Sequence, residues 1–317
     1  MPGEPVGAVH VNALLSNLAV LYRPTEFMAD DVAPYVTVSH ESDLYPIFTQ
    51  DDFYGTDVDD LVPDKSAVKM VEFSHTTGTY LCQRRELGFD VSDRERKNAD
   101  NQLRLERNKQ VGTLGRLMLK REIRVAALVR KTTNGGQLTN GANAAASWAT
   151  AGTTSIESDV RTAREAIRTV IGVRPNTIII PEAVASGMQT NTTLNSKLIY
   201  TYGSEANRPQ LSDEFPLLPA VLFGMRVRVP GLIQNTAHEG AAGSYSDVWG
   251  KAVRVLYLTG APDLETPSVA YTFRAEPLTT RQWRDDEKRK DNFAVGQTID
   301  ERVVAPLAGY EVGACIP

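Results

Sequence analysis

Apolar residues recur at helical spacing through a long, heavily charged stretch without proline, the 38 residues from Asp93 to Arg130. Leu103, Val111, Leu114, Met118, Val125 and Leu128 or Val129 lie three or four residues apart or at multiples of that spacing, so they share one stripe while the other faces carry charge. The spacing predicts a single helix of roughly 57 Å, against a radius of gyration of about 20 Å for a compact chain of this length. A rod of that size reads as a spine. Gly112 and Gly115 each cost about 1 kcal/mol relative to alanine in a helix interior. They mark a bend, a close backbone crossing, or a join between two shorter helices.

The pattern differs on either side. Residues 1–45 hold the apolar pieces Ala13 to Tyr22 and Val32 to Val38, broken by Pro24 and Pro34 and closed by Pro46, which suits an extended arm. From Tyr45 to Ser92, short alternating runs such as Val68, Met70, Glu72 and then Thr76 to Leu81 are punctuated by Gly55, Pro63, Gly78 and Gly88. They predict a long two-stranded excursion. An isolated ribbon of that kind is marginal in water and needs another surface to lie on.

Behind the spine, Thr132 to Thr154 is low in charge and rich in Gly, Ala, Asn and Thr, a loop or domain boundary. Thr154 and Glu157 have capping-box spacing, and Ile156, Val160, Ala163, Ile167 and Ile171 form an apolar stripe ending at Gly172. Thr177 to Ile180 reads as a short buried strand, with Pro181 placed to open another helix. Met225 to Val229 alternates as a strand with one wet face. Val253 to Leu258 and Val269 to Arg274 are further strands, and Phe293 to Val304 suits a strand pair. There is no internal repeat.

Composition narrows the class. With 317 residues and 42% hydrophobic content the chain can bury a sizeable core of one or two domains. No apolar run approaches the roughly 18 residues that cross a bilayer, and the first residues lack the basic-then-apolar order of a signal peptide, so a cytosolic site of synthesis and residence is expected. Cys82 and Cys315 are expected to be free thiols. The net charge of -5 hides an asymmetry. Residues 1–60 hold eleven acids against Arg23 alone, a balance of -10; residues 84–131 hold fourteen Lys and Arg against seven acids, a balance of +7. Complementary surfaces of this kind favour pairing between subunits and set register, and the plain alternative is two solvated faces.

Catalytic constellations are missing. The chain has no G-x-S-x-G elbow, no phosphate-binding G-x-x-x-x-G-K-[ST] loop and no G-x-G-x-x-G turn. His10, His40, His75 and His238 include no pair at metal-ligand spacing, and Cys82 has no cysteine neighbour. The run Asp51 to Asp60 is the best metal candidate, but it lacks the ordered ligands and closing glutamate of a calcium loop. It reads as a charged tip. Arg281 to Lys290 sets bases beside Trp283, one mark of nucleic-acid contact, yet Asp285, Asp286 and Glu287 cancel much of the field, which suits a hairpin or loop tip. No catalytic, cofactor-binding or metal-ligating residue is assigned, no cofactor is expected, and the chain is not expected to be an enzyme.

Arg174-Pro175-Asn176-Thr177-Ile178-Ile179-Ile180-Pro181 before a short helix, then Phe223-Gly224-Met225-Arg226-Val227, then the closing Thr298 to Val312, resemble the major capsid proteins of tailed bacteriophages. The order of parts over almost the whole chain carries the resemblance. It implies an α+β fold of the Hong Kong 97 type: an N-terminal arm (1–45), an extended loop (46–92), a peripheral domain with the spine helix (93–150 and 265–317) and an axial domain (151–264). It also implies self-assembly into pentamers and hexamers of an icosahedral head enclosing double-stranded DNA, without sequence-specific binding and without membrane contact. The implied partners are further copies of the chain with scaffolding, portal and decoration proteins, and the implied location is the virion, with host cytoplasm during assembly. Nothing before residue 93 looks like the cleaved coiled-coil segment that family members often carry, so a separate scaffold or a self-sufficient shell is implied. Lys65 and Lys69 sit where some members carry a cross-linking lysine, but nothing marks either as activated. Two other readings are an encapsulin-like nanocompartment and an α/β enzyme built on residues 155–188.

Overall fold

The computed structural model describes residues 10–11, 27–47, 60–62, 64, 67–68, 70, 76–98, 102–150, 155–202, 218–238, 240–259 and 268–317. In chain order the strands are β1 (His10–Val11), β2 (Tyr35–Thr37), β3 (Ser42–Ile47), β4 (Thr76–Leu81), β5 (Gln83–Ser92), β6 (Asn140–Asn143), β7 (Thr177–Ile179), β8 (Val221–Leu222), β9 (Met225–Arg228), β10 (Ile233–Asn235), β11 (Tyr245–Asp247), β12 (Val253–Leu256), β13 (Ala270–Asp285), β14 (Lys290–Val303) and β15 (Gly309–Gly313). The helices are α1 (Ala29–Val32), α2 (Asp93–Asn98), α3 (Gln102–Leu128), α4 (Ser155–Ile171), α5 (Glu182–Met188) and α6 (Thr192–Tyr202).

Two sheets organise the chain. The six-stranded sheet runs β6-β15-β12-β7-β9-β8, and its central strands β7, β12 and β15 are buried at every position. Helix α4 buries the predicted stripe Ile156, Val160, Ala163, Ile167 and Ile171 in the same aliphatic core. The five-stranded sheet runs β1-β13-β14-β5, with β2 also on β13. Strand β13 is covered on its outer side by β2 only at 272–274 and by β1 only at 281–282, and in between it is interrupted by irregularities around Glu276 and Thr279, flanking Pro277. Bulges and proline there discourage stray strand addition.

The spine is shorter than its pattern predicts. Ser92 caps α2: its Oγ accepts the Glu95 N–H at 3.2 Å while Glu95 Oε2 accepts the Ser92 N–H at 3.1 Å, a capping box that starts the helix here. Lys109 on α3 donates to Glu95 Oε2 at 2.9 Å and to the Asp90 carbonyl at 2.8 Å, and Arg96 reaches Glu106 at 2.8 Å. In one straight helix Glu95 and Lys109 would stand about 21 Å apart along the axis. α2 therefore folds beside the first turns of α3, and the rod is the 27 residues of α3, about 40 Å. It passes unbroken through Gly112 and Gly115. A side chain at Gly112 would meet nothing within 4 Å, so no crossing backbone explains that glycine.

The boundaries drawn from sequence at 150 and 265 also move. β6 lies before residue 150 and β15 after 265, yet both pair in the six-stranded sheet, β15 antiparallel to β12 and parallel to β6. The chain leaves the five-stranded sheet after β14, and Tyr310 and Val312 join the aliphatic core. The expected strand pair at 293–304 is one 14-residue strand, β14, paired with β13 from end to end and with β5 from Lys290 to Ile299.

β3 and β4 form the base of the extended loop, with Ser42 opposite Leu81 and Ile47 opposite Thr76. Tyr45 and Tyr80 turn inward onto Phe273, at ring distances of 5.3 and 4.4 Å. Leu44 and Leu81 turn outward, 60% and 53% exposed. That hairpin starts at Ser42, within the segment that reads as arm. Most of the arm, Thr154, His75, Lys65, Lys69 and all of the acidic run except Asp60 lie outside the described residues.

Candidate functional site

One turn of the spine, Arg121 to Val125, joins the arm base to both halves of the molecule. Arg121 and Glu122 are buried, and they grip the two ends of the one-turn helix α1 at the base of the arm. Glu122 Oε2 accepts the N–H groups of Met28 at 3.0 Å and Ala29 at 2.7 Å. These are donors that a helix N-terminus leaves free, and an anion suits them. Arg121 donates to the Ala33 carbonyl at 2.9 Å and to Thr272 Oγ1 at 3.2 Å, pairs with Asp30, and stacks over Tyr35 with its guanidinium carbon 4.2 Å from the ring centre.

The same turn reaches both sheets. Glu122 Oε1 accepts the indole N–H of Trp249 at 2.7 Å, a contact with the six-stranded side. Arg124 forms a fork with Glu301 on β14, Nη2 to Oε1 at 2.6 Å and Nε to Oε2 at 3.1 Å. Burial pushes the Glu122 carboxyl above the usual carboxylate range, while the Ala29, Trp249 and Met28 donors and the Arg121 charge pull it back. A second buried cation, Arg254 on β12, seals the C-terminal end of the spine. It donates to the carbonyls of Val129 at 3.0 Å, Trp249 at 2.9 Å and Ala252 at 3.1 Å, and burial lowers its pKa to about 10.

The apolar stripe alone does not reveal these residues, although the sequence carries a signal. Positions 121 and 122 fall between Met118 and Val125 on the apolar stripe of α3, where a charge has no reason to sit unless it is paired. Arg254 likewise interrupts the buried run Val253 to Leu256.

A groove of about 530 Å³ lies between α3 and β5, lined by Arg84, Arg85, Glu86, Leu87, Leu117, Lys120, Ile123 and Arg124. Its floor is apolar and its rim basic. Arg124 is committed to Glu301, and Glu86 is shared between Arg84 and Arg281. Among the described residues Lys120 has no acidic partner, and Arg85 bonds only the neutral Gln83 at 2.9 Å. The field of the groove is therefore positive. The extended loop exposes large apolar residues among its polar ones: Leu61, Val68 and Met70 are 70%, 70% and 85% exposed.

Other sequence candidates fall apart or neutralise themselves. His40 and His238 are exposed, well separated in sequence, and among the described residues no three His, Cys, Asp or Glu side chains gather as a metal site. Arg281 to Lys290 is the turn between β13 and β14 with its flanks. There Arg284 forks to Asp93 at 2.7 Å and also meets Asp286 and Asp291, so little charge is left for a nucleic acid. Cys82 and Cys315 are free and buried, and burial pushes the Cys315 thiol up to about 12, which leaves it unreactive. Among the described residues no helix is long and apolar enough to cross a membrane.

No protein-family model matches the sequence, and no curated protein matches it. Solved structures do match its fold. A phage-related protein from Bordetella bronchiseptica is 20% identical, with a TM-score of 0.74 over 98% of this chain and 99% of that one. The capsid of Cyanophage P-SCSP1u is 13% identical, with a TM-score of 0.60 over 98% of this chain and 91% of its own. The mature capsid of bacteriophage PhiM1 is 11% identical, with a TM-score of 0.56 over 92% and 87%. These matches run over nearly the whole chain, which has the Hong Kong 97-type fold of tailed-phage major capsid proteins.

Proposed function

We propose that the chain is a major capsid protein that assembles through its extended loop into pentamers and hexamers of a closed head around double-stranded DNA. The observation that carries this reading is the loop itself. Leu44, Val68, Met70 and Leu81 are exposed, and no described part of the same chain covers them. A ribbon of this kind is not stable alone. A lattice of identical copies supplies the missing cover, and symmetry multiplies a modest contact into a stable particle. Scaffolding, portal and decoration proteins are the further partners expected of such a shell.

The contact has a candidate seat. The loop tip, Asp51-Asp52-Phe53-Tyr54-Gly55-Thr56-Asp57-Val58-Asp59-Asp60, mixes acids with apolar residues, as the basic rim and apolar floor of the α3–β5 groove require. With only Cys82 between β4 and β5, the far end of the hairpin at Ile47 and Thr76 is nine residues of extended chain from Arg85, on the order of 30 Å. Asp51 and Asp52 follow Ile47 too closely to turn back that far, and on this reading the acids at 57, 59 and 60 belong to the groove of a second copy, which mixing the loop and groove variants separates from a contact within one chain.

Charge reversal tests both levels. Wild-type protein is expected to form capsomers and closed shells by sizing chromatography and negative-stain microscopy. A groove variant, Arg85→Glu with Lys120→Glu, and a loop variant, Asp57→Lys with Asp59→Lys and Asp60→Lys, are each expected to stay unassembled. All five changes in one chain should restore shells, and mixing the two variants should restore even-numbered capsomers, because the partners then meet between copies. Variants that assemble like the wild type would overturn the groove contact alone. A wild-type protein that stays monomeric under all assembly conditions would overturn the capsid reading.

A further inference from the structure

Glu122 serves two bodies with one carboxylate. Its Oε2 holds the arm base through the Met28 and Ala29 amides, and its Oε1 holds Trp249, next to the six-stranded sheet. The residue is fully buried, so water cannot replace a lost donor cheaply. Each donor makes the charge tolerable for the others. We propose that Glu122 couples the docking of the arm base to the seating of the six-stranded domain on the spine, so that loosening either contact loosens the other. The coupling goes beyond the assembly reading and belongs to the single chain.

The surrounding contacts make the arm base suited to such a role. Around α1 the hold is uneven. Facing the spine it is gripped at both ends by Arg121 and Glu122. Facing β7 and β9 it borders a cavity of about 410 Å³ lined by Asp30, Asp31, Val32, Ile179, Arg226 and Arg228 among others, and the described ion pair across that gap is Asp31 with Arg228. An exposed pair of this type contributes little and is screened by salt. The arm base also packs Met28, Ala29, Val32 and Ala33 into the apolar core it shares with the six-stranded sheet, and the buried carboxylate is the polar link that joins the two. Loss of the Trp249 donor leaves the charge under-solvated, and protonation follows. A neutral acid accepts more weakly than a carboxylate, so the Met28 and Ala29 amides lose their anion.

Hydrogen–deuterium exchange on the unassembled full chain reads this directly. Trp249→Phe keeps the ring and removes only the indole donor. It should speed exchange of the amides at 28–33 about tenfold while 114–120 and 270–280 keep wild-type rates. In the opposite direction, Asp30→Asn with Asp31→Asn weakens the rim of the arm base without touching Glu122, and should speed exchange at 247–252. Trp148→Phe is the matched control, since its indole N–H bonds Asp159 at 2.9 Å elsewhere in the core. It should leave 28–33 unchanged. Wild-type exchange at 28–33 in Trp249→Phe would overturn the coupling, as would equal acceleration in Trp249→Phe and Trp148→Phe, which marks general loosening.

Discussion

The six-stranded and five-stranded halves of the molecule are held together in different ways. The first encloses one continuous aliphatic core, from Ile156 on α4 through Ile178 on β7 to Val255 on β12 and Val312 on β15. The second reaches that core only at the ends of its strands, Ala270 and Val303, and otherwise has small clusters: Tyr45, Tyr80, Tyr271 and Phe273 under the loop, Val91 with Phe293, and Leu114 with Val295. Between those clusters the sheet is tied by ion pairs such as Arg281 with Glu86, Lys290 with Asp90 and Arg96 with Asp291 at 2.5 Å. Burial is non-directional and tolerant, whereas paired charges are specific but contribute little where water reaches them. The first half holds the larger part of the buried core, closed by the arm base, the end of the spine and the ends of β13 and β14. The second leaves more to paired charges, and the proposed shell would complete it with neighbours.

The largest effect that can break this contrast is a cavity in the aliphatic core. Ile178 is fully buried in the central strand β7, so Ile178→Ala should cost about 2–5 kcal/mol, read by urea unfolding of the unassembled subunit. A cost below about 1 kcal/mol would mean that the six-stranded half does not hold the larger part of the core.

A smaller effect sharpens the account of the five-stranded half. Glu86 on β5 reaches Arg281 on β13 by crossing the intervening strand β14 at Gly296, with Arg281 Nη2 2.8 and 2.7 Å from its two oxygens. A Cβ at Gly296 would lie 2.0 Å from Glu86 Cγ and 2.8 Å from the Arg85 carbonyl oxygen. Gly296→Ala should therefore cost about 1–3 kcal/mol by overpacking, and Glu86→Gln, which removes only the charge, less than about 1 kcal/mol. Thermal unfolding of the two variants checks the order. Equal costs would show that the ion pair, and not the close passage, is what Gly296 protects.

The two halves are unequally legible in the amino-acid sequence. The stripe Ile156 to Ile171 and the run Thr177 to Ile180 are readable because an aliphatic core imposes one clean period on a helix and a plain apolar run on a buried strand. Val269 to Arg274 reads as a strand, but β13 continues to Asp285. Arg281 to Asp285 carries polar groups on both faces, so no period marks it, and pairing with β14 decides its conformation. The spine pattern overshoots at its start for a related reason. Charged residues at 93–101 are compatible with continued helix, and only the Ser92–Glu95 box marks the start of a separate α2. The candidate site is the least legible, since Arg121, Glu122 and Arg254 become intelligible only when partners far away in the chain arrive: Ala33, Met28 and Val129.

Acid should act on the two halves with opposite sign. Hydrogen bonding from Lys290 holds the Asp90 carboxyl below its ordinary 3.8, and the bond from Lys109 does the same for Glu95 against 4.5. Their contribution is complete above those ordinary values and is lost as pH falls through the lowered ones. Burial raises Glu122, so the folded chain takes up its proton before the unfolded chain does. That group favours the folded state more as pH falls from its raised value towards 4.5. Titrated downward from neutrality, exchange at 84–98 and 284–292 should rise first, below about pH 4, while Trp249 keeps its native fluorescence in a Trp148→Phe, Trp283→Phe background. Loss of the Trp249 signal before those peptides open would reverse the assignment, and would make the buried carboxylate rather than the peripheral ion pairs the acid-sensitive element of the fold.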